Sequence, residues 1–399
     1  MNITVISQYF HPEHFRINEI VAELVNYGCN IKLITGYPNY PHGNFYSGYK
    51  RNFIYSVETI FGADVIRCPI FPRRKNAFML LLNYISFIVS SSIYILFNLS
   101  KLRNTSVIFV YGVSPIFQCF PAIFLSKILN KPLILNLQDL WPESLRDTGY
   151  IQNKFILKLV KYFVKLIYLN CDLILCSSKP FVDKVHSIYP SANAVYWPNS
   201  VNNETIFNNI KTRNIVTKHP VNFVFAGNLG KAQGLDIIID AFNYLKNNEI
   251  VLNIYGDGIE KNKLIKRSNN KNIFFHGQVP YKDIAHNLSE ADILILTLVE
   301  GESLSYTVPN KLQAYLAIGR PILIVSSGEA ARIVSEANCG FIVSNRNVFE
   351  ISQIILQIIN TDFAQLDKYS ENAYMYYKNN YDHKKLIQEL LAIFNQYSP

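Results

Sequence analysis

Runs of four or five mostly apolar residues recur along the chain and alternate with longer stretches of helical spacing. They are Ile3–Ser7, Ile31–Thr35, Val107–Val110, Leu133–Leu137, Leu173–Cys176, Asn222–Ala226, Val251–Tyr255, Ile273–His276, Ile293–Thr297 and Ile322–Val325. A strand with one wet face alternates apolar and polar residues, whereas a strand covered by helices on both faces reads as a continuous apolar run. The pattern therefore predicts α/β architecture with parallel sheets. At about 100–200 residues per domain, 399 residues fit two doubly wound Rossmann-like domains. The alternation pauses over Trp197–Pro220, a polar, Asn-rich stretch with prolines at 198 and 220, which reads as the linker. The expected division is 1–200, 201–375, and a C-terminal helix over 376–399 that packs back towards the first domain through Leu386, Leu390 and Ile393. No period of 20–50 residues marks a repeat protein.

Composition narrows the partners. Hydrophobic residues make up 49% and charged residues 17%, against about 25% charged in an average chain, which excludes intrinsic disorder. A net charge of +9 suits nucleic acid, an anionic membrane surface or a phosphorylated ligand. The six cysteines, at 29, 68, 119, 171, 176 and 339, form no CxxC pair and no zinc spacing, and read as reduced thiols. The opening MNITVISQYF has neither a basic n-region nor a long apolar h-region, so no signal peptide and a cytoplasmic location are expected.

Two segments bear on the membrane. Asn76–Ser100 holds no charged residue and is flanked by Arg73, Arg74 and Lys75 before it and Lys101 and Arg103 after it. Its length permits a membrane span, but Asn76, Asn83 and Ser90 recur at heptad spacing with Ser86, Ser91 and Asn98 near the same face, which wastes polar groups in lipid. A spanning helix, a core helix and a helix lying in the interface remain open. In NKFILKLVKYFVKLIYLN, Lys154, Lys158, Lys161 and Lys165 fall within about 60° of one another at about 100° per residue, and the rest of the circumference is apolar or aromatic. The stripe is either a solvated lysine face or an attachment to anionic lipid, where each Lys contributes about 1 kcal/mol.

The first strand-turn-helix unit, ISQYFHPEHFRINEIV, contains no glycine, which excludes the dinucleotide fingerprint and with it a dehydrogenase. His11 and His14 flank Glu13, but no third metal ligand accompanies them and Pro12 favours a loop, so no metal site is expected. This turn lies at the carboxyl end of the first strand, where open α/β sheets bind ligands, so His11, Glu13, His14 and Arg16 are substrate-facing candidates. The alternative is a capped turn. The second domain opens differently: Asn222–Ala226 runs into GNLGKAQGLD, where Gly227, Gly230 and Gly234 permit close approach of phosphate to backbone N–H groups and Lys231 adds charge. An ordinary tight turn would use the same glycines. Gly256-Asp257-Gly258 and His276-Gly277 end two further strands. Beyond Glu300 and Glu302, Pro309 stands at the expected first position of a helix whose N-terminal amides, with Asn310 and Lys311, would meet an anion.

Taken in order, these residues resemble family 4 glycosyltransferases of the GT-B fold, two Rossmann-like domains facing a cleft. The Gly-rich loop, GDG loop, FHGxV strand end, acidic loop and AxGRP turn of that family correspond to Gly227–Asp236, Gly256–Gly258, Phe275–Val279, Glu300–Lys311 and Ala317–Pro321. WPNSVN at Trp197–Asn202 is similar to its interdomain PNGVD. TGYPNYPHG at Thr35–Gly43 and DLWPES at Asp139–Ser144 resemble the WbuB-type subgroup of bacterial surface-polysaccharide clusters, which includes L-fucosamine transferases. The chain departs from the family at Asn228, where Arg is usual, and at Gln233, where Lys is usual, with Lys231 two positions earlier. The two acids of the E-x7-E motif fall on Tyr306 and Ala314, and the usual His beside Asp139 is Gln138.

The resemblance implies retaining transfer of a sugar, with UDP-linked N-acetyl-L-fucosamine the first choice of donor. The acceptor would be a polyprenyl-diphosphate-linked saccharide at the anionic inner face of the cytoplasmic membrane, bound peripherally. If the leaving diphosphate takes the acceptor proton on the same face, no carboxylate nucleophile is needed, and the protein orients the reactants and stabilises charge on the diphosphate. Asp139 and Lys231 are the implied catalytic pair. Gly227, Asn228, Gly230, Gln233, Gly256, Asp257, Gly277, Val279, Thr307, Val308, Asn310 and Lys311 would hold the donor, and His11, Glu13, His14, Arg16, Tyr40 and Glu143 the acceptor. No DxD sequence marks a cation site, so turnover in EDTA is expected and no cofactor is called for. A nucleotide-sugar 2-epimerase of the same fold would interconvert a free sugar nucleotide without acceptor. A nucleic-acid-binding protein would carry its lysines among exposed aromatics rather than beside a wide apolar face, so no nucleic-acid partner is expected.

Overall fold

Strands β1 (Asn2–Ile6), β2 (Asn30–Gly36), β3 (Ser56–Ile60), β4 (Ala63–Cys68), β5 (Val107–Gly112), β6 (Leu133–Leu137), β7 (Leu173–Cys176) and β8 (Ala194–Tyr196) form one sheet in the order 3-4-2-1-5-6-7-8. Only β3 runs antiparallel, paired to β4 at the edge. The second sheet holds β9 (Val221–Ala226), β10 (Ile250–Tyr255), β11 (Ile273–Gly277), β12 (Ile293–Thr297), β13 (Ile322–Val325) and β14 (Gly340–Val343), all parallel, in the order 11-10-9-12-13-14. Both sheets wind outward in two directions, one from β1 and the other from β9, as the uninterrupted apolar runs require. This computed structural model describes residues 1–41, 43–49, 54–74, 77–147, 149, 151–202 and 220–398. His42, Lys75, Asn76 and most of the expected linker, 203–219, lie outside the described residues.

The chain divides into unit 1, Met1–Trp197 with Lys384–Pro399, and unit 2, Pro198–His383. The sequence places these breaks after residues 200 and 375. The second falls later because the helix Phe363–Asn380 packs in unit 2, with Ala373 and Tyr377 buried against its core and Tyr377 OH donating to Val201 O at 2.9 Å. Only the following helix, His383–Tyr397, serves unit 1. Leu386, Ile387, Leu390 and Phe394 join its core with Ile17, Val21 and Leu24, and Trp197 Nε1 donates to Leu386 O.

A different set of helices belongs to unit 1 as well: Ala77–Phe97, Cys119–Leu129 and Lys154–Leu169 are neighbours in that order. Phe163 of the last packs edge-on against Phe117 and Phe120. The six cysteines are free thiols, five of them buried.

Candidate functional site

In unit 2 the loops at the carboxyl ends of β9 and β10 are bonded main chain to main chain. Gly227 N donates to Tyr255 O at 2.9 Å, Leu229 N to Asp257 O at 2.8 Å and Gly256 N to Gly277 O at 2.7 Å. Gly256 has φ +136°, and a Cβ there would lie 1.9 Å from Gly227 O; one on Gly258 would lie 2.5 Å from Leu229 O. These two glycines allow the loops to touch. Asn228 joins them, its side-chain oxygen 2.6 Å from a Cβ built on Gly258 and its Nδ2 3.0 Å from one on Gly230. The exposed Asp257 carboxylate is held below its ordinary range by the Gly258 N–H, 2.8 Å away, and by Lys261.

Lys311 closes this loop pair from the helix Asn310–Ile318. Its ammonium lies 4.1 Å from the Phe225 ring centroid, donates to Gln233 Oε1, and stands 2.9 Å from where a Gly227 Cβ would be. Burial alone pushes it down to about 7. With a ring face and an amide as partners and no carboxylate, this cation is under-compensated and suited to an arriving diphosphate. Lys231, the implied catalytic lysine, is exposed. Pro309 is the residue before the helix rather than its first, Asn310 Oδ1 accepts from Asn199 Nδ2 at 3.1 Å, and Thr307 Oγ1 bonds back to Ser303 O within its own turn. Val308 is buried, Gly277 turns at φ +75°, and Val279 is half-buried. The sequence reading missed Arg346, which follows β14 and donates to Gly234 O at 2.7 Å, Leu298 O, Thr297 Oγ1 and Asp236 Oδ1, fastening the far end of the glycine loop.

Unit 1 builds its loops with side chains. Glu13, expected among the acceptor contacts, is taken up inside the fold. It is 1% exposed, and its two oxygens accept the backbone N–H groups of Asn39 (2.8 Å), Tyr40 (2.7 Å) and Phe10 (3.3 Å), pinning the β1 turn to the β2 loop. Burial pushes its carboxyl up to about 7 against those three bonds. Arg67, fully buried at the end of β4, holds the same region by donating to Glu58, Gly36 O, His11 O and Tyr49 OH. His11 and His14 are exposed, and the His11 ring packs edge-on to Phe61. Arg16 is ion-paired to Glu19 at 3.0 Å. Tyr40 lies among the Tyr9 and Phe15 rings. Beyond β6, Asp139 accepts the Ser114 N–H at 2.8 Å while burial raises its carboxyl above the ordinary range, and Glu143 opens a short helix with Oε2 buried and unpartnered. Among the described residues no cluster of His, Cys, Asp and Glu is arranged to hold a metal.

Within Asn76–Ser100 the described helix is Ala77–Phe97. The helix Ala77–Phe97 is inverted: Asn83 and Ser91 are fully buried and Ser90 nearly so, while Phe78, Leu81, Ile85, Val89, Ile93, Leu96 and Phe97 are 42–79% exposed. Asn83 accepts from Gln8 Nε2 at 2.8 Å and donates to Phe71 O at 2.6 Å, and Ser86 Oγ accepts from Phe71 N at 3.0 Å. The polar stripe is therefore the one that packs, and the helix is one-third buried. It is neither an enclosed core helix nor an apolar cylinder. On the helix Lys154–Leu169, Val160, Val164, Ile167 and Tyr168 pack inward, and the four lysines are exposed beside Phe155, Leu159, Tyr162 and Leu169.

Two Rossmann-like units in this order define the GT-B class of glycosyltransferase fold. Over 99% of this chain the structure superposes on sucrose-phosphate synthase from Thermosynechococcus elongatus, with a TM-score of 0.74, 14% identity and 98% of that chain covered. It also superposes on Anabaena HepE in complex with UDP and glucose, with a TM-score of 0.68, 13% identity, and 99% and 100% of the two chains covered. Residues 220–361 match the family model of glycosyl transferases group 1. The Escherichia coli K12 protein WcaI, named for glycosyl transfer in colanic acid biosynthesis, is 24% identical over 350 residues, 82% of this chain and 83% of its own. In sequence the chain is similar to glycosyl transferases of group 1.

Proposed function

We propose that the chain transfers N-acetyl-L-fucosamine, with retention, from a UDP donor held by unit 2 onto a polyprenyl-diphosphate-linked saccharide held by unit 1. The setting is bacterial surface-polysaccharide (O-antigen) assembly at the inner face of the cytoplasmic membrane. The observation that carries this reading is the outer surface of unit 1. A helix that buries Asn83 and Ser91 and presents Phe78, Leu81, Ile85, Val89 and Leu96 to the outside is joined through Cys119–Leu129 to a helix with four exposed lysines. An apolar ridge flanked by cations is the complement of an anionic bilayer surface, where the ridge enters the acyl boundary and the lysines meet headgroups. The UDP bound by HepE and the polysaccharide role in the name of WcaI support the donor class and the setting. The sugar rests on the resemblance of Thr35–Gly43 and Asp139–Ser144 to the WbuB-type subgroup.

On this reading unit 2 supplies the electrostatics: Lys311 and the backbone N–H groups of Asn228 and Gly230 meet the charge that grows on the leaving diphosphate. The test is transfer from UDP-, GDP-, dTDP- and CDP-sugars onto a polyprenyl-diphosphate-linked saccharide in anionic vesicles. Turnover is expected with UDP-N-acetyl-L-fucosamine. Replacing Lys154, Lys158, Lys161 and Lys165 by Gln should remove vesicle sedimentation and turnover together. Salt-insensitive sedimentation of that variant, or turnover only with a non-UDP donor, would overturn the corresponding half of the proposal.

A further inference from the structure

Two segments of unit 1, the turn after β1 and the loop after β2, converge on Arg73. Its backbone N–H donates to Asn39 Oδ1 at 2.7 Å. Its carbonyl backs onto Gly43, at φ +80°, so closely that a Cβ on that residue would lie 1.7 Å from the oxygen. The guanidinium lies 5.1 Å from the Tyr40 ring centroid, and Nη1 donates to Tyr9 OH at 3.0 Å. Tyr9 is itself stacked on Phe15 at 5.0 Å and tilted against Tyr40 at 5.3 Å. Asn39, Tyr40 and Gly43 are thus gathered around this arginine, each holding a different part of it.

What these partners lack is a negative charge. Among the described residues no carboxylate lies within ion-pair distance of Arg73, although Arg16, Arg67, Arg267, Arg332 and Arg346 all have one. One N–H of the five is used by Tyr9 and the planar fork is otherwise available. A half-buried, immobilised guanidinium is suited to bidentate binding of phosphate oxygens. Its place in the chain adds the second half of the argument. Arg73 lies between the carboxyl end of β4 and the inverted helix Ala77–Phe97, and Phe71, two residues before it, is bonded to Asn83 and Ser86 of that helix. A fixed cation next to an apolar ridge matches a molecule with an anionic head and a long apolar chain.

We propose that Arg73 binds the diphosphate of the lipid-borne acceptor, so that the prenyl chain leaves along the exposed face of Ala77–Phe97. This rests on the reading of unit 1 as the acceptor unit. The test is calorimetric titration of the full chain, saturated with UDP to fill the donor site, with farnesyl diphosphate, farnesol and inorganic pyrophosphate. Farnesyl diphosphate should bind at least tenfold more tightly than either of the others. Arg73→Met should reduce it to the level of farnesol, and Arg73→Lys should retain part of the affinity, with the UDP-dependent rise in melting temperature unchanged in both. Unchanged affinity in Arg73→Met overturns the assignment, as does absence of binding to the unmodified chain. Pyrophosphate binding as tightly as farnesyl diphosphate overturns the lipid source. If Arg73→Met does not fold, unchanged affinity in Arg73→Lys decides against it. Loss of vesicle sedimentation in the four-lysine variant, together with indifference to Arg73, would keep the docking surface and reject this site.

Discussion

The two units share a winding order yet differ in what ties their loops together. In unit 2 the loops after β9 and β10 touch backbone to backbone, and Gly256 and Gly258 are there because no Cβ fits. In unit 1 the loops after β1, β2 and β4 also meet main chain to main chain, at Gly36 and Gln8 and at Gly43 and Arg73, but they are tied in addition by long buried side chains, Glu13 and Arg67 above all. The glycine solution leaves main-chain N–H groups near a ligand surface and needs only one enclosed cation, Lys311, to complete it. The side-chain solution places ionisable groups in the interior, which is costly unless every oxygen and N–H finds a partner. It leaves the exposed parts of the loops free to differ, and here they include His11 and His14.

The largest effect expected from this contrast is at Arg67. Arg67→Met removes a fully buried guanidinium and strands the His11 and Gly36 carbonyls and part of Glu58, at about 3–5 kcal/mol. Both tryptophans, Trp141 and Trp197, belong to unit 1, so their fluorescence in a denaturant titration reports this unit. The midpoint should fall strongly while UDP still raises the melting temperature of unit 2. A loss under about 1 kcal/mol would show that unit 1 does not depend on its buried charges.

Lys311→Met probes the other solution. It leaves the glycine packing intact and removes the cation, so kcat/KM should fall by about 10²-fold, near 2.7 kcal/mol, with the tryptophan midpoint unchanged. Steady-state turnover with saturating acceptor measures it. An effect confined to Lys231→Met would shift the diphosphate contact to the exposed lysine and break the comparison on this side.

How much of this was legible follows the same division. The ten apolar runs correspond to β1, β2, β5–β7 and β9–β13, because a strand buried on both faces announces itself in its own residues. The four strands without such a run have local reasons. β3 is an exposed edge with Val57 62% accessible, and β4 is broken by Asp64 and Arg67. β8 has only three residues, and β14 opens on Gly340, whose absent Cβ would lie 2.0 Å from Ile322 O. The glycine loop of unit 2 was visible for a related reason, since glycine spacing is local. The enclosure of Lys311 was not, because it depends on Phe225 and Gln233, which are remote in sequence. Glu13 misled because an acid in a turn at a strand end looks like a ligand contact until Asn39 and Tyr40 are folded over it. In Ala77–Phe97 the polar stripe was readable, and only its burial decides which side of the helix is outside.

Glu13 provides the finest test of the contrast, since its carboxyl stands at about 7 in the folded chain against an ordinary 4.5. Between those values the folded chain keeps a proton that the unfolded chain releases, so stability from this group is full below about pH 4.5 and is lost as pH rises through about 7. Over pH 5.5 to 7 the loss is about 1.5 kcal/mol. Glu13→Gln carries an oxygen acceptor but no titrating proton, so its tryptophan midpoint should gain about that much on the unmodified chain across the same window. The UDP-protected transition of unit 2 should keep its own slope in both proteins. A flat profile in the unmodified chain would mean that the N–H groups of Phe10, Asn39 and Tyr40 outweigh desolvation and keep the carboxylate ionised, in which case unit 1 binds its internal anion as unit 2 is suited to bind a ligand's, through main-chain amides.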